Sequence, residues 1–492
     1  MSAPNKKAVP PMIFEDNFIE HKNIAWRVEP AHQDPNNPLL EPKYPWDSAS
    51  PCVGHGTVIK DPIDGLYKAW TVSAAEYPGF WGDFEFRLTY AYSEDGVKWV
   101  RPELDICPFP GHPRTNILFD YDSGGRSTYA SVLIDPVGNP DEPYEMFLFR
   151  HPWFKNPSLV VRGFSGKNER YLSLYRYRSK DGLHWRGVEG PYPLKTDDSM
   201  YVHKNKESGY VAHFKDCVPS LPGGYVPYDC AAGRCRIQFR MTSKDGTDWS
   251  EPTLIMQPDW KDHPGNQFME VGYYPYGKGI IGLTAIFNAT TQTQDLHFAA
   301  STDGLKWWRP AQCPCLPLAP AGDYGSGLIW PTRTLIEDDG KLYIYYGATD
   351  GLHADTYNPT PNMLRAFSGA FCRAWWDVGR MWAAVPAAGG DLEASLITPL
   401  MKLEGEKLHI NGVTLRDGEI KVEVLHPIHT PGNPPLQKAV DGFSMAECIP
   451  FKGDHKCEVV RWKNGDSACL RGQNVHLRLS LRRARLYGFE WR

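Results

Sequence analysis

The amino-acid sequence predicts an all-β protein, with a five-bladed β-propeller over residues 1–385 and a β-sandwich over residues 386–492. The prediction rests on two observations. A short turn motif with an adjoining tryptophan occurs four times, each time after a strand-like segment. No long segment shows the apolar period of an amphipathic helix, whereas many short segments alternate as strands do.

The repeated motif is Ser-x-Asp-Gly-x-x-Trp. Its copies are SEDGVKW (93–99), SKDGLHW (179–185), SKDGTDW (243–249) and STDGLKW (301–307). Asp-Gly between two strands is a strong hairpin signal, because aspartate bonds nearby backbone groups and glycine accepts a positive φ. We expect the tryptophan to pack beneath the turn. A β unit repeated at this interval is typical of propeller blades, with the turn joining the two outer strands of a blade.

Between the turns lie the candidate inner strands of the blades. They are GHGTVIKD (54–61), STYASVLIDP (127–136), SMYVHKNKESGYVAHF (199–214), MEVGYYPYGKGIIGLTAIF (269–287) and WPTRTLIEDDGKLYIYYGATDG (330–351). Five such segments against four turns predict a fifth blade that has lost its turn and ends in MLRAFSGAFCRAWWDV (363–378). The small-residue run AAVPAAGGD (383–391) indicates a linker to the alternating strands of the sandwich.

The composition is that of a globular protein and argues against several classes of partner. Of the 492 residues 41% are hydrophobic and 23% charged, and the formal net charge is −5, so we expect neither a nucleic-acid nor a membrane partner. The eleven cysteines include no Cys-x-x-Cys pair, and the first residues lack an apolar signal stretch. We therefore expect reduced thiols and a cytoplasmic location.

A five-bladed propeller followed by a β-sandwich resembles the invertase and fructan-hydrolase family of glycoside hydrolases, and more distantly the arabinanase and xylosidase propellers. The turn motif is similar to the Asp-box of sialidases, which marks a blade and carries no chemistry. The resemblance implies a nucleophilic aspartate on blade one, a stabilising aspartate on blade three and a glutamate acid/base on blade four. One such group must give a proton while another stays charged.

The blade-four and blade-three positions are filled in this chain. In NQFMEVGYYPYGKGIIGL, Glu270 stands ahead of an inner strand, as the family's glutamate does. In KTDDSMYVHKNKESGYVAHF, Asp198 stands where the family has its blade-three aspartate, although the Arg-Asp-Pro triplet is absent and Asp197 is a neighbouring rival. We predict Glu270 as the general acid, with Asp198 as a second catalytic carboxylate.

Blade one departs from the family pattern. PCVGHGTVIKD has His55 and Gly56 where a carboxylate is expected, and the nearest upstream acid is Asp47 in YPWDS. Asp47 is the third catalytic candidate, with a turn-capping role as the alternative. The gap puts a double displacement in doubt, whereas an inverting mechanism needs no nucleophile and stays open.

Further polar and aromatic residues lie at predicted ends of central strands, where a propeller funnel binds its ligand. The predicted substrate-binding residues are His55, Arg150, His151, Asp323, Trp330, Arg333, Asp350 and His353, and blade two offers Arg126 or Tyr129 as well. Arginine and histidine together suit a carboxylated or sulfated sugar, or a phosphate. The sequence has no metal-binding histidine pair and no phosphate loop, so no cofactor is expected, with a calcium ion at the axis left open.

The sequence therefore predicts a glycoside hydrolase acting on a terminal sugar or a short oligosaccharide. One alternative is an intracellular glycoside phosphorylase, which the missing blade-one acid favours. The other is a carbohydrate-binding propeller without catalysis. The sandwich is a candidate contact for a homo-oligomer, through DGFSMAECIPFKGD (441–454).

Overall fold

The computed structural model describes residues 9–76, 84–119, 126–151, 172–194, 199–205, 208–220, 233–277, 279–353, 368–388, 390, 392–427 and 438–492. Regular structure in these ranges is β-strand, apart from short 3₁₀ helices such as Glu15–Asn17, Pro45–Asp47 and Ser467–Leu470. The all-β prediction is thus confirmed. No helix in this part of the chain has the length and apolarity that crossing a membrane requires.

Three four-stranded antiparallel sheets follow one another along the chain. Sheet I contains β4 Thr57–Lys60, β5 Tyr67–Glu76, β6 Phe84–Ser93 and β7 Ile117–Phe119; sheet II contains β8 Arg126–Ile134, β9 Tyr144–His151, β10 Leu172–Ser179 and β11 Arg186–Leu194; sheet III contains β12 Met200–Asn205, β13 Gly209–Pro219, β14 Arg234–Ser243 and β15 Thr253–Met256. In each sheet the strands pair in chain order, and the Ser-x-Asp-Gly turn joins the third strand to the fourth.

The next strands form an eight-stranded sheet with two halves. Sheet IV, the first half, contains β16 Asn266–Val271, β17 Tyr274–Tyr276, β18 Gly279–Asn288 and β19 Thr293–Ser301; sheet V, the second, contains β20 Leu328–Asp338, β21 Lys341–Thr349, β22 Gly369–Asp377 and β3 His32–Gln33. A single parallel bridge between Gln294 and Leu328 joins the halves. The outer strand of sheet V comes from the N-terminal segment, since β3 pairs with β22.

The C-terminal part of the chain builds another eight-stranded sheet. Its strands are β1 Glu20–Lys22, β2 Ile24–Val28, β23 Trp382–Pro386, β24 Ala394–Ile397, β25 Met401–Lys402, β26 Leu408–Leu425, β28 Asp454–Val459 and β30 Asn474–Trp491, with β27 Cys448–Ile449 and β29 Arg461–Trp462 as a separate pair. The apolar residues of β30 alternate as predicted, and Leu477, Leu479 and Leu481 are fully buried. Two strands of the N-terminal segment, β1 and β2, belong to this sheet rather than to sheets I–V.

The four repeated turns have one hydrogen-bond pattern. In the first copy, Asp95 Oδ1 accepts the backbone N–H groups of Val97 and Lys98 at 2.8 Å, and Ser93 Oγ accepts that of Gly96 at 2.9 Å. The φ of Gly96 is 73°, which a residue with a Cβ rarely adopts. Trp99 Nε1 donates to the Gly96 carbonyl at 3.2 Å, so the tryptophan closes the turn from below, as the sequence predicted.

Three of the turns are also bonded to the preceding sheet. The bonds are Tyr345 OH to Gly96 O (2.9 Å), Trp70 Nε1 to Gly182 O (2.7 Å) and Arg176 Nη1 to Asp245 O (2.8 Å). They join sheet V to I, sheet I to II and sheet II to III. The sheets therefore succeed one another cyclically, and the fifth contacts the first.

Candidate active site

One residue from each of sheets I–V lies in a buried group near the start of the first strands. This central cluster consists of His55, Tyr129, Tyr201, Glu270 and Trp330. The strand pairing of sheets II, IV and V is irregular at this level, with register shifts beside Tyr129, Glu270 and Trp330. Such bulges turn side chains out of the regular alternation, and here they direct them toward one point.

Glu270 is the carboxylate of the central cluster and has no solvent-exposed side-chain surface. Tyr201 OH donates to its Oε2 at 3.1 Å, and its Oε1 lies 3.5 Å from His55 Nε2. Burial and the adjacent Glu270 charge raise the pKa of Tyr201 well above its ordinary value. Tyr201 therefore stays a protonated donor to the carboxylate at every physiological pH.

His55 and Tyr129 both have left-handed backbones, at φ 48° and 53°. Their rings stack with centroids 4.1 Å apart, and Tyr129 OH lies 3.1 Å from His55 Nε2. A residue with a Cβ in this conformation costs about 1–3 kcal/mol, and such strain concentrates at functional sites. His55 Nε2 thus faces both the Tyr129 hydroxyl and the Glu270 carboxylate.

The glycines on either side of His55 allow the chain to approach its neighbours closely. A Cβ on Gly54 would lie 2.6 Å from the carbonyl oxygen of Trp330, and a Cβ on Gly56 would lie 2.2 Å from that of Trp70. Only glycine fits at these two positions. The Gly-His-Gly segment is therefore shaped to bring the imidazole against Glu270 and Trp330.

Trp330 forms an aromatic wall of the cluster. Its ring meets that of His55 edge to face at a centroid distance of 4.8 Å, and the His353 ring lies 6.3 Å away on its other contact. His353 packs in turn against Phe287 at 4.7 Å. Two of the residues predicted to bind substrate, Trp330 and His353, are thus found together beside His55.

Arg333 lies beneath the cluster and is 5% exposed. Its guanidinium donates to the carbonyls of Val202 (2.6 Å) and Val132 (2.7 Å), and Nη1 lies 3.0 Å from His203 Nδ1. Burial lowers the pKa of Arg333 to about 10, which still leaves it charged at neutral pH. The contacts of this cation are with the backbones of sheets II and III, so its observed role is to tie first strands together.

Asp47 is held apart from the central cluster by its own contacts. Its Oδ1 accepts the backbone N–H groups of Lys43 (2.8 Å) and Tyr44 (2.6 Å), and Oδ2 forms an ion pair with Arg101 at 2.6 Å. Burial raises the pKa of Asp47, against the lowering effect of these bonds. The carboxylate closes the turn around Pro45–Asp47 and is fully occupied there.

Asp323 and Asp350 lie in turns of sheet V and its approach. Asp323 is exposed, and its backbone forms the turn bonds from Asp323 N to Pro320 O and from Ser326 N to Asp323 O, both at 3.1 Å. Asp350 Oδ1 accepts the Ser368 N–H at 2.9 Å. No described contact joins either carboxylate to the central cluster.

Some predicted site residues cannot be located. Asp198 lies outside the described residues, and so do the side chains of Arg150 and His151, whose backbones end β9. Ser199, the next residue after Asp198, donates from Oγ to the Met269 carbonyl at 3.0 Å. The chain following Asp198 therefore runs beside the residue that precedes Glu270.

Tyr201 is the residue of the cluster that the sequence did not single out. Its position one residue into an inner strand, level with Glu270 on the next sheet, is the only signal that indicates it. Among the described residues, the ten cysteines are free thiols, and no group of three or more His, Cys, Asp and Glu side chains is arranged to hold a metal ion.

No protein-family model and no curated protein matches the chain. Similar solved structures include a glycoside hydrolase, with 12% identity, a TM-score of 0.46, and coverage of 71% of this chain and 92% of that one. An N-acetylgalactosamine deacetylase from F. plautii, in complex with blood group B trisaccharide, has 15% identity and a TM-score of 0.47, covering 72% and 96%.

A third similar structure is described under the GH130 family of mannoside phosphorylases, as containing glycoside hydrolases that target β-1,2 mannosidic linkages in Candida mannan. It has 14% identity and a TM-score of 0.44, and covers 75% of this chain and 96% of that one. At these identities and TM-scores, the likenesses assign no activity to this chain. The specific resemblance to invertases stays a prediction.

Proposed function

We propose that sheets I–V are the blades of a five-bladed β-propeller, and that the sheet built on β26 and β30 is a separate C-terminal domain of sandwich type. The cyclic order of the turn contacts supports the ring. So does the bond from Arg333 N of sheet V to the Gly56 carbonyl ahead of sheet I, at 2.8 Å. The central cluster then lies on the propeller axis, where the first strands converge.

We infer that the protein is a carbohydrate-active enzyme that cleaves a glycosidic bond with Glu270 as its general acid. The observation that carries this inference is the position of Glu270, buried between Tyr201 and His55 where five sheets meet. A general acid must keep its proton until the leaving oxygen arrives, and a site closed to water protects that proton.

The walls of the site suit a sugar. His55, Tyr129 and Trp330 provide flat ring surfaces beside the carboxylate, and aromatic rings offer an apolar face with polar edges. A pyranose has a matching apolar face surrounded by hydroxyl groups. Tyr129 OH and the imidazole of His55 are the polar groups within reach of such hydroxyls.

For the second catalytic group we keep Asp198 as the proposal. Its support is the bond between the adjacent Ser199 and Met269, which brings that stretch of chain alongside Glu270. For Asp47 we propose a structural role, because its carboxylate is already bonded to Arg101 and to two backbone N–H groups. A mechanism with one acid and an activated water or phosphate is consistent with this assignment.

The test is a release assay on a panel of aryl glycosides and natural oligosaccharides, with and without phosphate. Glu270→Gln keeps the side-chain shape and should lower turnover by about 10²–10⁴-fold. Glu337→Gln, at the exposed far end of a first strand, is the matched control and should leave turnover unchanged. Far-UV circular dichroism checks that both variants are folded.

The outcomes separate the possible reactions. Cleavage that needs no phosphate and disappears in Glu270→Gln establishes a hydrolase, whereas dependence on phosphate with release of a sugar phosphate establishes a phosphorylase. Full turnover in Glu270→Gln rejects the general-acid role. Binding of a sugar without release of product favours the non-catalytic alternative.

A further inference from the structure

Trp260 differs from every other tryptophan in the described ranges, because its side chain is exposed, with 88% of its surface accessible. Tryptophans are usually buried over most of their surface. We propose that Trp260 and the cleft beside it form a second sugar-binding site, which takes an outlying unit of an uncharged oligosaccharide. The identity of that oligosaccharide as substrate rests on the proposed function, whereas the binding itself does not.

The turn that carries Trp260 is rigidly held. Asp259 N donates to Asp262 Oδ2, and Lys261 N to Asp259 Oδ1, both at 2.8 Å. Arg309 grips the Asp262 carboxylate with two bonds, at 2.8 and 2.5 Å, in a buried ion pair. A platform fixed in this way loses little conformational entropy when a ligand stacks on it.

Two of the turn residues, Asp259 and Asp262, also line a surface cleft. With its open mouth included, the empty volume of the cleft is about 350 Å³, and its lining is Ser220, Cys235, Pro258, Asp259, Asp262, His263, Pro264, Asn266 and Gln267. The carboxylates in this lining disfavour an anionic sugar. The cleft therefore suits neutral hydroxyl groups.

The polar groups of the cleft include both donors and acceptors. His263 Nδ1 accepts the Gly265 N–H at 3.0 Å, which leaves the proton of a neutral ring on Nε2 as a donor. Asp259 is an acceptor, and the amide of Asn266 can both donate and accept. Sugar hydroxyls likewise donate and accept, so one hydroxyl can satisfy a pair of these groups.

The cleft is connected to the central cluster by a single strand. Asn266 begins β16, and Glu270 lies four residues further along it, about 13 Å away at the rise of an extended strand. A sugar bound at Glu270 does not reach that far, but an oligosaccharide does. Lys261 Nζ lies 5.5 Å from the centroid of the Trp260 ring and covers one face, so the ligand stacks on the other.

The experiment measures binding by calorimetry, with unbranched neutral oligosaccharides of increasing length as probes. All variants carry Glu270→Gln, so that no probe is cleaved. Adding Trp260→Ala should weaken binding of the longer probes by about tenfold and leave the shortest unchanged, whereas Trp260→Phe should retain most of the affinity. Val137→Ala removes an equally exposed apolar side chain elsewhere, at 91% exposure, and should change nothing.

Equal affinities with and without Trp260→Ala overturn the proposal, and so does a panel in which no probe binds any variant. A loss that is the same for every probe length also overturns it, because it indicates general damage. The result is independent of the catalytic assignment. Full turnover in Glu270→Gln rejects the proposed function alone, and a length-dependent loss in Trp260→Ala would still establish the site.

Discussion

His213 should make the folded protein sensitive to acid. This residue of β13 is 1% exposed and packs against His203, Tyr273 and Trp307. Neither of its ring nitrogens has a hydrogen-bond partner in the described part of the chain. Burial, and then the charge of Arg240, lower the pKa of His213 to about 3. The folded protein therefore keeps this imidazole neutral.

The sign and size of the effect follow from proton binding. An unfolded histidine has a pKa of about 6.5, so between about pH 6.5 and pH 3 the unfolded chain binds a proton that the folded chain does not. The free energy of unfolding then falls as the pH falls, by up to about 1.4 kcal/mol per pH unit, or about 2 kcal/mol from pH 6.5 to pH 5. Above pH 6.5 this contribution is fully present and constant.

The assay is urea unfolding, followed by tryptophan fluorescence, at several pH values between 7.5 and 5. His213→Gln removes the titrating group, so its unfolding free energy should fall less steeply with acid than that of the wild type, by about one proton. The control is His32→Gln, an exposed histidine of β3, which should keep the wild-type slope. Parallel pH dependences for wild type and His213→Gln would show that the imidazole is not held neutral.

Two further variants test the turns and the ion pair. Gly182→Ala should destabilise by about 2–4 kcal/mol, because φ is 76° and its Cβ would lie 2.9 Å from the Trp70 ring, whereas Gly111→Ala, at φ 78° in open space, should lose only about 1 kcal/mol; equal losses in urea unfolding would contradict the docking of this turn. Asp47→Asn should lower the free energy of unfolding by about 3 kcal/mol by leaving Arg101 without its partner, while kcat on any cleaved glycoside stays within about twofold of wild type; unchanged stability with lost turnover would restore a catalytic Asp47.

Much of the fold was predictable because its signals are local. The Ser-x-Asp-Gly turn folds through bonds between neighbours, so a stretch of seven residues indicates it. The inner strands lie where the apolar segments predicted them, as in β4 Thr57–Lys60 within 54–61. Glu270 and Trp330 were predicted from their positions ahead of such strands, and both lie in the central cluster.

The rest depends on contacts between distant parts of the chain. Tyr201 could not be chosen over other strand tyrosines, since only its bond to Glu270 on the next sheet distinguishes it. Arg333 has the side chain of a ligand-binding residue, but its donors are directed at backbone carbonyls that no sequence pattern identifies. His55 was noted as the residue in place of a carboxylate, without the left-handed backbone that aims it.

The N-terminal strands have a consequence for how the chain is made. β3 completes sheet V by pairing with β22, and β2 pairs with β23, so residues 24–33 find their partners only at residues 369–386. On a ribosome these first strands emerge early and must wait, unpaired, until most of the chain has been translated. Ring closure is thus a late, long-range step, and exposed strand edges of this kind are the sites where a nascent chain is most in need of chaperone protection.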